Sequence, residues 1–159
     1  MNKGIEFELM DLLIKNNMII SCAESCTGGL IISSLINVSG ASQVVKESYV
    51  TYSNESKVKI LNVNLETIEK YHVESMEVAK EMVLGLFNIT NADVCLSVTG
   101  FAGGNESLET DGLCYYGIKV YDTLVLEQVQ VTGDRNTARY NQKEHILKRV
   151  MEIIKDSLN

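Results

Sequence analysis

Met18-Ile19-Ile20-Ser21-Cys22-Ala23-Glu24-Ser25-Cys26-Thr27-Gly28-Gly29, followed at once by Leu30-Ile31-Ile32, is the stretch on which the fold turns. Met18 to Cys22 is a short apolar run with polar boundaries, which predicts a buried strand. Gly28 and Gly29 permit a sharp turn and a close backbone approach. Leu30, Ile31, Leu35 and Ile36 then recur at helical spacing. Strand, tight turn and helix in that order project Ser25 from the end of a sheet. They also aim free backbone N–H groups at whatever lies there, which favours an anion, or an oxyanion forming beside a nucleophilic hydroxyl. On local pattern alone the same residues also describe a plain strand–helix turn.

Outward from this stretch, the chain alternates. Glu6 to Lys15 predicts a helix closed by Asn16-Asn17. Val44 to Ser53, with Tyr49-Val50-Thr51-Tyr52, predicts a second strand. Asn54 is the expected cap of a short helix running through Lys57 to Leu61, and Leu65 to Tyr71 is another. Ser75 is the expected cap of a helix over Met76 to Phe87, and Asp93 to Thr99 reads as a buried strand. Glu106 to Gly112 is a polar loop expected to be flexible. Leu113 to Tyr121 and Leu124 to Thr132, separated only by Asp122-Thr123, predict an antiparallel hairpin, and Asn136 to Leu158 a long closing helix. The expected fold class is α/β: one domain over 1–159, a three-layer α/β/α sandwich with a mixed, mostly parallel sheet and a late hairpin.

Composition narrows the function. With 159 residues, 45% hydrophobic and 22% charged, the chain can bury a core of ordinary globular type. No apolar run approaches the about 18 residues of a membrane span, and the N-terminus does not read as a signal peptide. A net charge of −7 argues against nucleic acid as a partner but leaves room for one anionic metabolite met by one or two local cations. Cys22, Cys26, Cys95 and Cys114 form no C-x-x-C pair and read as reduced thiols of a cytoplasmic protein. No His/Cys/Asp cluster has metal-ligand spacing, and no cofactor is expected.

Nucleophilic catalysis by a serine needs a nucleophile and a base. Ser25 offers the first. Lys57, in the first turn of a helix capped at Asn54, sits where the helix dipole and partial burial both disfavour an ammonium; it also fits an ordinary solvated lysine. Tyr52 can bond Lys57, stack on a substrate ring, or fill the core. Glu24 can orient the turn or pair with Lys57. His72 and His145 lack a context that would make either a triad base. Thr99-Gly100-Phe101-Ala102-Gly103-Gly104 follows a strand and can cradle a phosphate or oxyanion with its amides, but no Gly-Lys-Ser/Thr makes it a P-loop. Arg135 and Arg139, near the start of the last helix, can clamp a phosphate or be plain surface charge.

Ala23-Glu24-Ser25-Cys26-Thr27-Gly28-Gly29 resembles the signature of the CinA C-terminal domain family, the nicotinamide mononucleotide (NMN) amidohydrolases. Tyr49 to Lys57 resembles the family's second block, Ser97 to Gly104 its glycine-rich third, and Gly133 to Arg139, more weakly, a fourth. The resemblance implies the same α/β/α sandwich, a Ser25/Lys57 catalytic pair assisted by Tyr52, and substrate contacts from Thr27, Gly28, Thr99, Gly100, Gly103, Arg135 and Arg139. Arg139 fits the second arginine of the fourth block. It further implies a nicotinamide nucleotide substrate, oxyanion donors near Gly28 or Gly100, a homodimer, and a chain standing without the N-terminal domain that often precedes this one. The third block departs from the family. Gly104 stands for a proline, Asn105-Glu106-Ser107 for glycines, Asp111 for a lysine and Cys114 for a glycine, and Cys114 and Tyr115 are expected to reshape the pocket. Those departures motivate one rival, a non-catalytic ligand-binding or regulatory module that lost turnover, and the glycine-rich loop leaves a second, a small phosphatase or phosphotransferase. The phosphatase is disfavoured by the missing phosphate-binding lysine and metal carboxylates.

Overall fold

A computed structural model of the chain describes residues 4–104 and 107–159. Expectations for Met1 to Lys3, Asn105 and Glu106 lie outside the described residues. In chain order the elements are α1 (Ile5–Lys15), β1 (Ile20–Glu24), α2 (Leu30–Ile36), β2 (Tyr49–Val50), α3 (Asn54–Leu61), α4 (Leu65–Tyr71), α5 (Met76–Thr90), β3 (Val94–Gly100), β4 (Leu113–Val120), β5 (Thr123–Gln130) and α6 (Arg135–Leu158). A short 3₁₀ turn spans Ala41–Gln43.

The sheet order is β2-β1-β3-β4-β5. β1 pairs in parallel with β2 and β3, β4 runs antiparallel to β3, and β5 antiparallel to β4. Four strands therefore run one way and β4 alone opposes them. α1, α2 and α6 cover one face, where Leu9, Leu13, Ile31, Leu35, Ile146 and Val150 join Ile20, Leu96 and Ile118 in one apolar cluster. α3, α4 and α5 cover the other, where Leu61, Ile68, Val78, Met82 and Leu86 meet Ala23 and Cys95. β1 and β3, at the centre, are buried on both faces, hence the absence of an apolar–polar alternation along them.

Several boundaries move, each for a local reason. β1 begins at Ile20 rather than Met18, because the Met18 amide donates to Leu13 O and closes α1, while pairing with β3 starts at Ile20 opposite Val94. β2 shrinks to two residues. Upstream of it the chain meets β1 through Ser21 Oγ donating to Glu47 O and the Cys22 amide donating to Ser48 Oγ, not through a continuous ladder. The cap of α3 is Ser53, not Asn54: Ser53 Oγ accepts from the Ser56 amide at 3.1 Å, and Ser56 Oγ accepts from the Ser53 amide. The hairpin turns at Tyr121-Asp122, one residue earlier than expected, with Tyr121 in the left-handed region at φ 49°. In the 107–112 segment, the Gln130 side-chain amide lies within 3.2 Å of the carbonyls of Leu108, Glu109 and Asp111.

Candidate active site

The Ser25 turn is fastened from below by Glu24, the last residue of β1. Its carboxylate is buried and accepts from Thr27 Oγ1 at 2.7 Å and from the amides of Ile31 and Ile32 at 2.9 and 3.0 Å. α2 is capped by Gly29, held at φ 96°, which has no side chain to satisfy the first amides; Glu24 satisfies two of them from the strand end. Glu24 thus orients the turn and does not pair with Lys57. From above, Arg139 of α6 donates through Nε to Cys26 O and through Nη2 to Thr27 O, at 3.0 and 2.7 Å.

Ser25, so held, meets Lys57 across the sheet end. Lys57 is wholly buried, and its Nζ lies 2.9 Å from Ser25 Oγ, 2.7 Å from Thr51 O and 3.4 Å from Tyr52 O. Two of these partners are carbonyls, which only accept. A neutral amine has two N–H groups and one lone pair. With the N–H groups on Thr51 O and Tyr52 O, the lone pair faces the Ser25 hydroxyl. Burial lowers the Lys57 pKa from 10.5 to about 8, against smaller upward pulls from Cys26 and Glu74. Beside it, burial pushes the Cys26 thiol up to about 12, so Cys26 stays protonated near neutral pH.

Both side chains open into a cleft of about 250 Å³. Of the residues singled out from sequence, Ser25, Tyr52, Lys57, Thr99, Gly100 and Arg135 line it. Tyr52 is exposed and touches Lys57 through its carbonyl; its hydroxyl accepts from Arg135 Nη2 at 3.3 Å, so it belongs to the rim and not to the core. Thr99 Oγ1 donates to Val73 O at 3.0 Å. Gly100 is required by a neighbour: a Cβ there would lie 2.5 Å from Cys114 Cα and from Leu113 O.

Thr27, Gly28, Gly103 and Arg139 do not line the cleft. They support it. Thr27 is buried on Glu24, the Gly28 amide donates to Ser25 O, and Gly103 abuts Gly133 O and Ala138 at the start of α6. The Gly28 and Phe101 amides, bonded to Ser25 O and Leu113 O, are thereby withdrawn from the oxyanion donors expected near Gly28 and Gly100. Asp111, Cys114 and Tyr115 are not among the lining residues either. Cys114 is fully buried in the core on the α6 face, so the larger side chain fills the interior and does not reshape the cleft.

Two residues escaped the sequence reading. Gln142 is fully buried; its Nε2 donates to Phe101 O at 2.8 Å and Gly112 O at 3.1 Å, and its Oε1 accepts from Cys26 Sγ. Its signal was there to find: a polar residue four positions from Ala138 and from Ile146 on the buried face of α6. Glu74 also lines the cleft, and nothing in its local sequence announces it. His145 shares Tyr116 OH with Glu127 on the far side of the sheet, and among the described residues no group of three His, Cys, Asp or Glu side chains is placed to hold a metal ion. No helix of the described residues is long and apolar enough to cross a membrane.

A three-layer α/β sandwich with a buried Ser/Lys pair at the ends of its central strands defines the class of the protein. The family model described as the CinA C-terminal domain matches residues 2–154, and the chain belongs to that family. A CinA-like protein of Petrotoga mobilis is 44% identical over 139 residues, 86% of this chain and 34% of the relative. A protein of Alkaliphilus oremlandii named as competence-damage inducible is 45% identical over 138 residues, 86% of this chain and 33% of its own length. The chain thus spans about a third of the length of these relatives. Among solved structures, the competence/damage inducible protein CihA of Agrobacterium tumefaciens superposes with TM-score 0.85 at 30% identity, over 96% of this chain and 97% of that one. A CinA superfamily protein of Klebsiella pneumoniae reaches TM-score 0.90 at 21% identity, over 96% of each chain, a likeness of fold.

Proposed function

We propose that the chain is a Ser/Lys amidohydrolase that converts the carboxamide of NMN, or a closely related nicotinamide nucleotide, to the carboxylate with release of ammonia. One observation carries this reading: the Lys57 amine, buried and drawn towards neutrality, 2.9 Å from Ser25 Oγ at the base of the cleft. Neutral Lys57 takes the Ser25 proton as Oγ bonds to the carboxamide carbon. The resulting ammonium lies beside the tetrahedral centre, where its charge offsets the developing oxyanion. It then returns the proton to the amide nitrogen, the C–N bond breaks and ammonia leaves. Water, deprotonated by Lys57, adds to the acyl-Ser25 ester; Lys57 passes that proton to Ser25 Oγ as the ester bond breaks, which frees the acid and restores the neutral amine. Arg135 on the rim meets the phosphate. Arg139 braces the turn, since two of its donors are engaged with backbone carbonyls.

A cytoplasmic setting, consistent with four free, buried cysteines, and a homodimer belong to the same proposal. Light scattering of the purified chain tests the dimer. The rival reading of a module without turnover rested partly on Asp111, Cys114 and Tyr115, and none of these lines the cleft. Ammonia release from NMN separates the two readings. The unmutated chain should release it, while Ser25→Ala and Lys57→Ala should lose at least about a thousandfold in kcat with the fold retained by circular dichroism. Saturable NMN binding without ammonia from the unmutated chain would make it a binding module, and full activity in Lys57→Ala would remove the base assignment.

A further inference from the structure

Among the described residues, three charged side chains line the cleft: Lys57, Glu74 and Arg135. Lys57 is committed to Ser25, Thr51 O and Tyr52 O, which leaves one carboxylate and one guanidinium to face a ligand. Arg135 sits on the exposed rim, bonded to Tyr52 OH. Glu74 sits deeper. It follows Val73, whose carbonyl is fixed by Thr99 Oγ1 at the end of β3, and it is half-buried. Among the described residues it forms no ion pair and no hydrogen bond, and its charge is felt at Lys57. A carboxylate that lines a cleft without an ion-pair partner is open to a positive charge on a ligand. The cleft is therefore polarised, negative beside the reacting pair and positive at the mouth.

We infer that Glu74 is a specificity-determining residue, selecting amides whose ring carries positive charge next to the carboxamide while Arg135 holds an anionic group at the far end. The inference rests on the amidohydrolase reading and deepens it. An oxidised nicotinamide ring is a cation; its 1,4-dihydro form carries the same carboxamide, ribose and phosphate on a neutral ring. The two ligands differ in the one property Glu74 would sense. Glu74 also precedes Ser75, the cap of α5, so an acid here complements the helix dipole. That role alone would not distinguish the two rings.

Binding of NMN and of its dihydro form is measured by calorimetry in the Ser25→Ala background, with and without Glu74→Gln, so that turnover does not enter. Removing the charge should weaken NMN binding about fivefold, the size expected for one partly screened charge pair, and change dihydro-NMN binding less than twofold. Glu74→Asp, which keeps the charge, should restore most of the preference. Equal weakening of both ligands, no weakening of either, or no saturable NMN binding would overturn the inference. Ammonia release by the unmutated chain reports separately on the reaction. Charge-dependent binding without ammonia removes the amidohydrolase and leaves Glu74's role, whereas ammonia release with an unchanged ligand preference does the reverse.

Discussion

At Lys57 a single environment sets both reactivity and stability. Burial disfavours the ammonium, Cys26 and Glu74 favour it, and the balance lies at a pKa of about 8. In the proposed reaction Lys57 must be neutral to accept the Ser25 proton. Hence kcat/KM for NMN should climb about tenfold per pH unit below that value and level off above it. A profile flat from pH 6 to 9 would show that Lys57 is not the base. The same shift is a stability term. Below about pH 8 Lys57 is protonated whether folded or unfolded, and the folded chain bears the full cost of burying the charge. Between 8 and the ordinary 10.5 only the unfolded chain holds the proton, so raising the pH favours folding; above that the cost is gone. Relative to Lys57→Met, the wild-type chain should therefore gain up to about 3 kcal/mol between pH 7 and 10.5. Urea unfolding of both proteins at the two pH values checks this; parallel curves would mean the amine is not desolvated.

At the scale of elements, what was legible followed from patterns within one segment. The caps Ser75 and Ser53 show the limit. Ser75 was read correctly because Met76 to Phe87 is strongly periodic behind it, whereas Ser53 and Asn54 are both good caps and only the reciprocal bonds with Ser56 decide between them. β2 was over-read, because Tyr49 to Tyr52 has strand composition and its edge position, with two paired residues, is a property of the sheet. The central junction was legible as strand–turn–helix, but the cause of its sharpness was not. The cap of α2 comes from Glu24 in another element, five residues before Gly29. That arrangement makes a prediction. Glu24→Gln keeps the size but offers one acceptor oxygen to three donors, two of them backbone amides, one buried and one partly buried, at the helix start. It should cost about 2–3 kcal/mol and, by freeing the turn, lower kcat more than it raises KM. Thermal unfolding and steady-state kinetics read the two effects. Unchanged stability would mean that solvent satisfies the start of α2.

Across the molecule, α6 reaches from the Ser25/Lys57 pair to the far edge of the sheet, and its two ends make separate contacts. Towards its start, Arg139 holds the carbonyls of Cys26 and Thr27, and Gln142 holds those of Phe101 and Gly112. Two further turns on, Arg149 grips Glu127 of β5 through Nε and Nη2, and Tyr116 OH donates to the same carboxylate. The amphipathic pattern of α6 revealed its buried face, but pairings between residues over a hundred positions apart, such as Cys26 with Gln142, leave no trace in local periodicity. If the first end serves the site and the second the fold, substitutions should dissociate. Arg139→Lys keeps the charge but loses the fork that spans two carbonyls; it should lower kcat at least about tenfold and shift Tm little. Arg149→Ala removes a partly exposed bidentate pair. It should lower stability by about 1 kcal/mol, which for a chain of this length is a Tm fall of about 2–4 °C, and leave kcat within twofold. The two variants exchange signatures if the division is wrong: an Arg139→Lys protein that loses stability with normal kcat would mean that the arginine holds the fold together and does not aim the serine.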